Sequence, residues 1–360
     1  MAKFSEVLTI VNGRNQKQVV CDDGKYPIYG SGGIMGYAND YICKAETVVI
    51  GRKGSINKPI FVETPFWNVD TAFGLCVNSE KLNPKYLYYF CEKFDFEKLN
   101  TTVTIPSLTK SNLLNVEIPL PNLEKQKQIV ELLDKVTSLI FLRKQQLSKF
   151  DELVKARFVE MFGDPVSNPL HWKKVKLSEL ADIKIGPFGS LLHKEDYVTG
   201  GHPLVNPSHI INGRIIVDND LTLTEGKYFE LSAYHLKKND VVLGRRGEMG
   251  RCAVVDEEGL LCGTGSLLIR TNGTVTADYI QKIISFPTFK KTIEDMAVGQ
   301  TMPNLNVPIV SNFMIIVPPL SVQKDYYDFV ECVDQQKQTV QQSLDRLELM
   351  KKALMQEYFG

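Results

Sequence analysis

Short apolar runs broken by Gly, Pro, Asn and Asp fill the first 118 residues, and this pattern predicts β-strands joined by turns. A helical stretch at 84–99, PKYLYYFCEKFDFEKL, interrupts them. The sequence therefore predicts a mixed α and β unit at the start of the chain. The runs are VLTIV, YPIYG, ETVVIG, INKPIFVE, AFGLCV and VEIPL.

Residues 123–162 have a different character, because apolar residues recur every seventh position and neither Pro nor Gly interrupts them. This spacing is typical of a helix that packs along a seam, and 40 helical residues would extend about 60 Å. The same spacing returns 197 residues later, over 320–359. Gly163, Asp164 and Pro165 are expected to end the first helix.

The two heptad seams complement each other. The second seam carries Val340 and Leu354 at the positions where the first carries arginine, and the first carries Ile140 and Val154 where the second carries lysine. We expect the helices to pair as an antiparallel coiled coil with pseudo-twofold symmetry; the alternative is that each packs only on its own domain. The predicted pairing residues are Leu133, Ile140, Leu147, Phe150, Val154, Val330, Val333, Val340, Leu344, Leu347 and Leu354.

An octet with one pattern occurs twice, as VVIGRKGS at 48–55 and as VVLGRRGE at 241–248. The repetition extends to other segments, including IPSL at 105–108 and MPNL at 302–305. Such a period indicates an internal duplication, here with about 20 additional residues before the second octet. The predicted fold class is α+β, with two tandem mixed α/β domains each followed by a long helix. The predicted boundaries are 1–120 (first head), 121–163 (first helix), 164–171 (linker), 172–316 (second head) and 317–360 (second helix).

Composition narrows the class of protein. The 360 residues include 42 basic and 42 acidic side chains, and this zero net charge argues mildly against a nucleic-acid binder without excluding local basic patches. No apolar run is long enough to span a bilayer, and the N-terminus lacks the features of a signal peptide. A soluble cytoplasmic protein without membrane contact is expected. The seven cysteines lack a C-x-x-C pair and are expected to be mainly buried free thiols.

The sequence contains little evidence of a catalytic site. All five histidines follow the first predicted long helix, whereas duplicated catalytic heads would share their acids and bases. No spacing indicates a metal site, and there is no phosphate-binding loop. Residues 206–209, NPSH, lack the second proline and the aromatic residue of the Asn-Pro-Pro-Tyr signature of amino-methylating DNA enzymes. We therefore expect no catalytic residue, metal or cofactor in this chain.

The basic residues of the two octets are the leading candidates for a binding site. In each octet a strand ends in two cations between glycines, and arginine binds phosphate or a guanine edge with two hydrogen bonds. The structural alternative is an ordinary hairpin turn with solvated cations. The predicted DNA-binding residues are Arg52, Lys53, Arg245 and Arg246, followed by Ser31, Lys58, Lys110, Ser190, Gln300 and Thr301.

The whole chain resembles the specificity subunit of type I restriction-modification systems. The most specific match is IPLPNLEKQKQIVELLDKV at 118–136, which is similar to the family pattern Ile-Pro-x-Pro-x-x-x-x-Gln-x-x-Ile-x-x-x-Leu. The second copy, IVPPLSVQKDYYDFV at 316–330, differs by placing two tyrosines where an aliphatic pair is usual. YPIYGSGGIMGY at 26–37 and the two octets are also family-like.

The resemblance implies two target recognition domains that read the halves of a bipartite double-stranded DNA target in bacterial defence. It implies helices that set the half-site spacing and dock two methylation subunits, with restriction and translocation subunits as further partners. S-adenosylmethionine, ATP and Mg²⁺ would be bound by those partners. The alternative is a protein scaffold that does not bind DNA, built from a duplicated β-rich module on a coiled coil.

Overall fold

The structure is a computed structural model of the full chain, and it describes residues 1–100, 107–188, 191–297 and 304–360. The chain divides into two compact units. Unit 1 comprises Met1–Ser148 and Lys337–Gly360, and unit 2 comprises Lys149–Gln336. Both divisions fall inside a long helix rather than at the domain boundaries predicted from the sequence. Each unit therefore contains a head, the start of one long helix and the end of the other.

The first head is built on a four-stranded antiparallel sheet with the strand order β2-β8-β5-β6. A second sheet, β4-β3-β7, pairs β3 with β7 in parallel, and β1 pairs with β9. The elements in chain order are β1 (Ala2–Lys3), α1 (Phe4–Val7), β2 (Leu8–Asn12), β3 (Tyr26–Gly30), β4 (Gly33–Ala38), β5 (Thr47–Gly51), β6 (Ile60–Val62), β7 (Trp67–Asn68), β8 (Ala72–Val77), α2 (Pro84–Lys93), α3 (Lys110–Leu114), β9 (Glu117–Ile118) and α4 (Leu123–Phe162).

The second head repeats this plan with the antiparallel order β11-β20-β17-β18, a parallel β13–β19 pair and a β10–β21 pair. Its elements are β10 (Lys174–Lys176), α5 (Leu177–Leu180), β11 (Ala181–Ile185), β12 (Tyr197–Val198), β13 (His202–Val205), β14 (Ile210–Ile211), β15 (Arg214–Ile215), β16 (Thr222–Leu223), α6 (Glu225–Glu230), β17 (Asp240–Gly244), β18 (Cys252–Val254), β19 (Leu261–Cys262), β20 (Ser266–Thr271), α7 (Ala277–Ile284), α8 (Pro287–Met296), α9 (Val307–Ser311), β21 (Met314–Ile316) and α10 (Leu320–Phe359).

The predicted mixed α/β duplication is thus confirmed, with one local difference. The predicted helix at 84–99 ends at Lys93, because Phe94 and Asp95 adopt extended backbone angles. A short 3-10 helix, Phe96–Leu99, follows, and the Asp95 carboxylate accepts a hydrogen bond from the Glu97 N–H. An aspartate in this role stabilises a new helix start instead of continuing the old one.

The apolar part of each octet forms the central strand of its main sheet, β5 or β17, and all five residues of each strand are buried. Alternate side chains enter different cores: Val48 and Ile50 contribute to one hydrophobic cluster, and Val49 contributes to another. A central strand covered on both faces requires a continuous apolar run, which explains why the octets do not alternate.

Each long helix begins with a buried glutamine that connects it to its own head. The Gln126 side chain accepts a hydrogen bond from the Asn83 N–H at 2.8 Å and donates to the Lys81 and Pro121 carbonyls at 3.0 and 2.8 Å. Its counterpart Gln323 is also fully buried. These bonds satisfy backbone groups at the junction between head and helix that burial would otherwise leave unpaired.

The second glutamine makes the equivalent contacts in unit 2. Gln323 accepts a hydrogen bond from the Thr276 N–H at 3.0 Å and donates to the Pro318 carbonyl at 2.9 Å. The glutamine of the helix-entry motif is therefore a structural residue in both copies.

Each long helix ends in the core of the unit that holds the other head. In unit 2, Phe162 at the end of α4 packs edge-on against Tyr279 and Tyr326, with ring centroids 5.2 and 5.3 Å apart. In unit 1, Phe359 at the end of α10 packs 4.9 Å from Tyr86. Both helix ends thus complete a core begun elsewhere in the chain.

The start of one helix meets the end of the other within each unit, so the pairing is antiparallel, as predicted. In unit 1, Arg143 donates to Ser343 at 3.3 Å, and Lys144 pairs with Glu348 at 2.8 Å. All eleven predicted seam residues are buried or half-buried. In an antiparallel pair, residues at equivalent positions of the two repeats do not contact each other. Arg143 therefore contacts Ser343 and not its repeat equivalent, Val340.

Replacement of Gln126 by alanine should lower the free energy of unfolding by about 1–3 kcal/mol, because it leaves buried backbone groups without partners. Urea denaturation measures this loss. The matched control is Gln128→Ala on the exposed side of the same helix turn, which should be near neutral. Equal effects of the two substitutions would contradict the structural role.

Replacement of Phe162 by alanine should cost about 3–5 kcal/mol, since the side chain is fully buried and leaves a cavity among aromatic rings. Phe141→Ala is the control, because Phe141 lies on the same helix and is 59% exposed. Thermal denaturation of the two variants should separate them clearly. A Phe162→Ala protein as stable as the control would show that this helix end does not support the second head.

Candidate nucleic-acid interface

The basic turn after each central strand is held by a matched pair of backbone hydrogen bonds. In the first head the Arg52 N–H donates to the Thr71 carbonyl at 2.8 Å, and the Arg52 carbonyl accepts from the Leu108 N–H at 2.9 Å. In the second head the Arg245 N–H donates to Gly265 at 2.9 Å, and its carbonyl accepts from Leu305 at 3.0 Å.

This backbone lock explains why two distant segments are repeated together. The leucine of IPSL or MPNL is buried, and its N–H fastens the segment that precedes α3 or α9 to the basic turn. The turn is therefore rigidly placed in both heads, and only its side chains are free to differ. A turn whose backbone is fixed in this way loses less backbone entropy when a ligand binds.

In the first head the turn presents exposed cations. Arg52 and Lys53 are both exposed, and the Arg52 guanidinium lies 5.8 Å from the centre of the Phe73 ring. Ser31 lies close by, since a Cβ added to Gly51 would come within 3.0 Å of the Ser31 Cβ. Lys58 is exposed after the turn. The structure thus places Arg52, Lys53 and Ser31 at one edge of the head.

The two arginines of the second turn differ from each other. The Arg245 Nε donates to the Leu305 carbonyl at 3.0 Å, so this half-buried side chain is fastened to the pre-helix segment. Burial lowers the pKa of Arg245, and the neighbouring Arg246 lowers it further. Arg246 is exposed and forms no ion pair within the described residues. Arg246 is therefore the freer cation, and Arg245 has a structural contact as well as a charge.

Lys110 has a structural contact too. Its Nζ donates to the Ile10 carbonyl at 2.8 Å, which ties the start of α3 to β2. Three further predicted residues, Ser190, Gln300 and Thr301, lie outside the described residues.

Sequence reasoning missed an ionic cluster on the other side of the second turn. Glu248 pairs with Arg251 at 3.1 Å and with Lys290 at 2.7 Å, and both cations lower the pKa of this carboxyl group. All three line a cavity of about 410 Å³ that Gln281 also borders. The signal was present in the octet itself, because Glu248 stands where the first copy has Ser55.

Three of the histidines have structural roles. The rings of His202 and His235 both stack on the Tyr228 ring, and each ring centroid lies 3.8 Å from that of Tyr228. The Nδ1 of buried His209 lies 2.7 Å from the Leu204 carbonyl oxygen. Across the described ranges, no group of three or more His, Cys, Asp or Glu side chains is arranged to hold a metal ion.

The expectation of buried thiols is wrong for Cys332, which lies on the exposed face of α10. Hydrogen bonding with Cys43 lowers the pKa of the half-buried Cys76 thiol, and the Thr47 hydroxyl acts in the same direction. The remaining cysteines divide into half-buried Cys21 and buried Cys91, Cys252 and Cys262.

Within the described residues, no helix combines the length and apolarity needed to cross a membrane.

Two duplicated heads that each present a locked basic turn, joined by paired helices, define a tandem recognition protein. The family described as the type I restriction modification DNA specificity domain matches residues 1–150 and 169–349. The chain belongs to this family. It is a DNA specificity subunit of the type I restriction-modification class.

Known relatives agree with this membership. The specificity subunit of the type I restriction enzyme MjaVIII of Methanocaldococcus jannaschii is 24% identical over 332 residues, covering 86% of this chain and 75% of the relative. The crystal structure of the type I S subunit from M. genitalium covers 100% of this chain and 95% of its own, with a TM-score of 0.61 and 17% identity. A structure from a study of complex assembly in the type I system covers 99% and 96%, with a TM-score of 0.64 and 16% identity.

Arg245→Ala should destabilise the second head by about 1–3 kcal/mol, since it removes the donor to a part-buried carbonyl, whereas Arg246→Ala should change stability by less than about 0.5 kcal/mol. Thermal unfolding of both variants measures the difference. Equal stability of the two proteins would mean that the bond to Leu305 contributes nothing.

Proposed function

We propose that each head reads one half of a bipartite double-stranded DNA target. The observation that carries this proposal is the basic turn, which the same backbone lock holds in both heads. Lys53 and Arg246 contact phosphate groups. Their contribution to DNA affinity depends on the salt concentration and not on the base sequence. Neighbouring side chains at each turn supply the contacts to base edges.

The paired helices have a separate role in this proposal. They fix the distance between the half-sites and dock two methylation subunits, which bind S-adenosylmethionine and methylate adenine. Restriction and translocation subunits, which bind ATP and Mg²⁺, complete the assembly. Support comes from the buried glutamine at each helix start and the aromatic residues at each helix end, which leave little freedom at the junctions.

The decisive experiment expresses the full chain with its candidate methylation subunit in a host without adenine methylation, and reads modified bases by long-read sequencing. Methylation at one split motif, only when both proteins are present, is the expected result. A stable complex that methylates no site would overturn the DNA assignment and favour a protein scaffold, the function with which zero net charge agrees.

Removal of one exposed cation should weaken DNA binding through phosphate. Arg246→Ala is expected to reduce affinity similarly for all sequences and to make the salt dependence shallower by about one unit of slope, because one fewer counterion is released. Titration of a labelled duplex at several salt concentrations measures both quantities. Arg346→Ala removes the same charge from an exposed site on α10 and serves as the control.

A different outcome would reassign Arg246. If the variant loses discrimination at a single position of one half-site while its salt slope is unchanged, then Arg246 reads a base edge. If its binding equals that of the control variant at every salt concentration, the basic turn of the second head is not part of the DNA interface.

A further inference from the structure

A second cavity of the second head lies beside the basic turn and contains an aromatic side chain. It has a volume of about 430 Å³ and combines an aromatic ring, an aliphatic wall and two guanidinium groups. Its walls come from the end of β11, the basic turn and the connection between β19 and β20. The lining residues are Ile185, Phe188, Arg245, Arg246, Thr264 and Gly265.

The charge of this cavity is uncompensated. Two arginines lie side by side, and none of the described residues that line the cavity carries a carboxylate. The cavity lined by Glu248 differs, because that carboxylate forms ion pairs with Arg251 and Lys290. Adjacent cations without an acidic partner favour an anion in the space between them, and arginine is well suited to phosphate.

The orientation of one arginine is fixed before any ligand binds. The Arg245 Nε donates to the Leu305 carbonyl at 3.0 Å and Nη1 donates to the Thr264 carbonyl at 3.5 Å, which leaves Nη2 and the second N–H of Nη1 to a ligand in the cavity. A guanidinium held in this way pays little entropy on binding. The positive wall of the cavity is therefore preorganised.

The aromatic side chain of the cavity indicates that the ligand also has a planar part. Phe188 is 57% exposed, so much of its ring is available to a ligand in a cavity that also holds two cations. A planar nucleobase stacks on such a ring, and loss of one base-stacking side chain typically weakens binding about ten-fold or more. In DNA, a base and a phosphate joined through deoxyribose make a nucleotide.

We propose that this cavity holds one nucleotide of the bound DNA, with its base stacked on Phe188 and its phosphate bound by Arg245 and Arg246. The inference rests on the proposed function of the heads. A base inside a continuous stack cannot offer its face, so this nucleotide leaves the stack when the DNA binds. Alignment of β2 with β11 places Asn15 of the first head at the position of Phe188, and the Asn15 side chain accepts a hydrogen bond from the Lys17 N–H at 2.9 Å. Only one half-site is therefore treated in this way.

The test uses the complex with its methylation subunits and a duplex that carries the split motif found by methylation sequencing. A set of duplexes leaves one nucleotide unpaired at each motif position in turn. Because an unpaired base is already free to leave the stack, one position of the half-site read by the second head, other than a methylated adenine, should bind about ten-fold more tightly than the paired duplex. Fluorescence anisotropy measures these affinities.

The substitutions then identify the side chain. The gain at that position should disappear in Phe188→Ala, shrink in Phe188→Leu and persist in Phe188→Trp, which retains a stacking ring. Phe229→Ala is the matched control, since Phe229 is 63% exposed in the same unit and does not line the cavity. It should retain the full gain.

Each contrary result has a distinct meaning. If Phe188→Ala keeps the gain, or if no position shows one, the nucleotide site is overturned while methylation by the unsubstituted complex still supports the proposed function. If the unsubstituted complex methylates no DNA, the proposed function itself fails. A competition arm with deoxyadenosine monophosphate separates the sources of the nucleotide: displacement of DNA by micromolar mononucleotide would overturn a DNA site in favour of a free-nucleotide site.

Discussion

Aromatic packing at the ends of the two long helices is the interaction on which the rest of the structure depends. Phe162 completes a core that contains Tyr279, and Phe359 completes a core that contains Tyr86. In each case the helix end comes from the opposite half of the sequence. Because neither head completes its core with its own residues alone, closure of both cores is coupled to antiparallel pairing of the two helices.

The starts of the helices obey a related constraint. Each helix leaves its head through a Pro-rich segment, and proline offers no N–H to satisfy a buried carbonyl. Gln126 and Gln323 provide the missing donor and also accept a backbone N–H from the head. A side-chain amide is suited to this role because it both donates and accepts without carrying charge. The helix-entry motif is thus explained by hydrogen bonding at the junction.

The candidate recognition surface is built on this rigid frame, with unequal roles for similar residues. Arg245 has two roles, since its side chain donates to the Leu305 carbonyl and its guanidinium also lines the cavity. Arg246 has no such constraint and is exposed. A family with this design can change exposed side chains on a fixed turn without altering the fold. Outside the turn, the exposed residues that follow the equivalent strands β11 and β2 also differ, as Phe188 and Asn15 do.

Local sequence determined much of this protein, including the central strands, the two long helices and the duplication. The heptad spacing and Gly163, whose φ of +72° few other residues tolerate, define the first helix from residues close in the chain. Contacts between distant residues decided the rest. The sequence predicts Lys110 as a DNA-binding cation, whereas in the structure its side chain donates to the carbonyl of Ile10, 100 residues away. The pairing of Glu248 with Lys290 and the cavity beside Phe188 also depend on segments that only folding brings together, so periodicity and composition carry no signal for them.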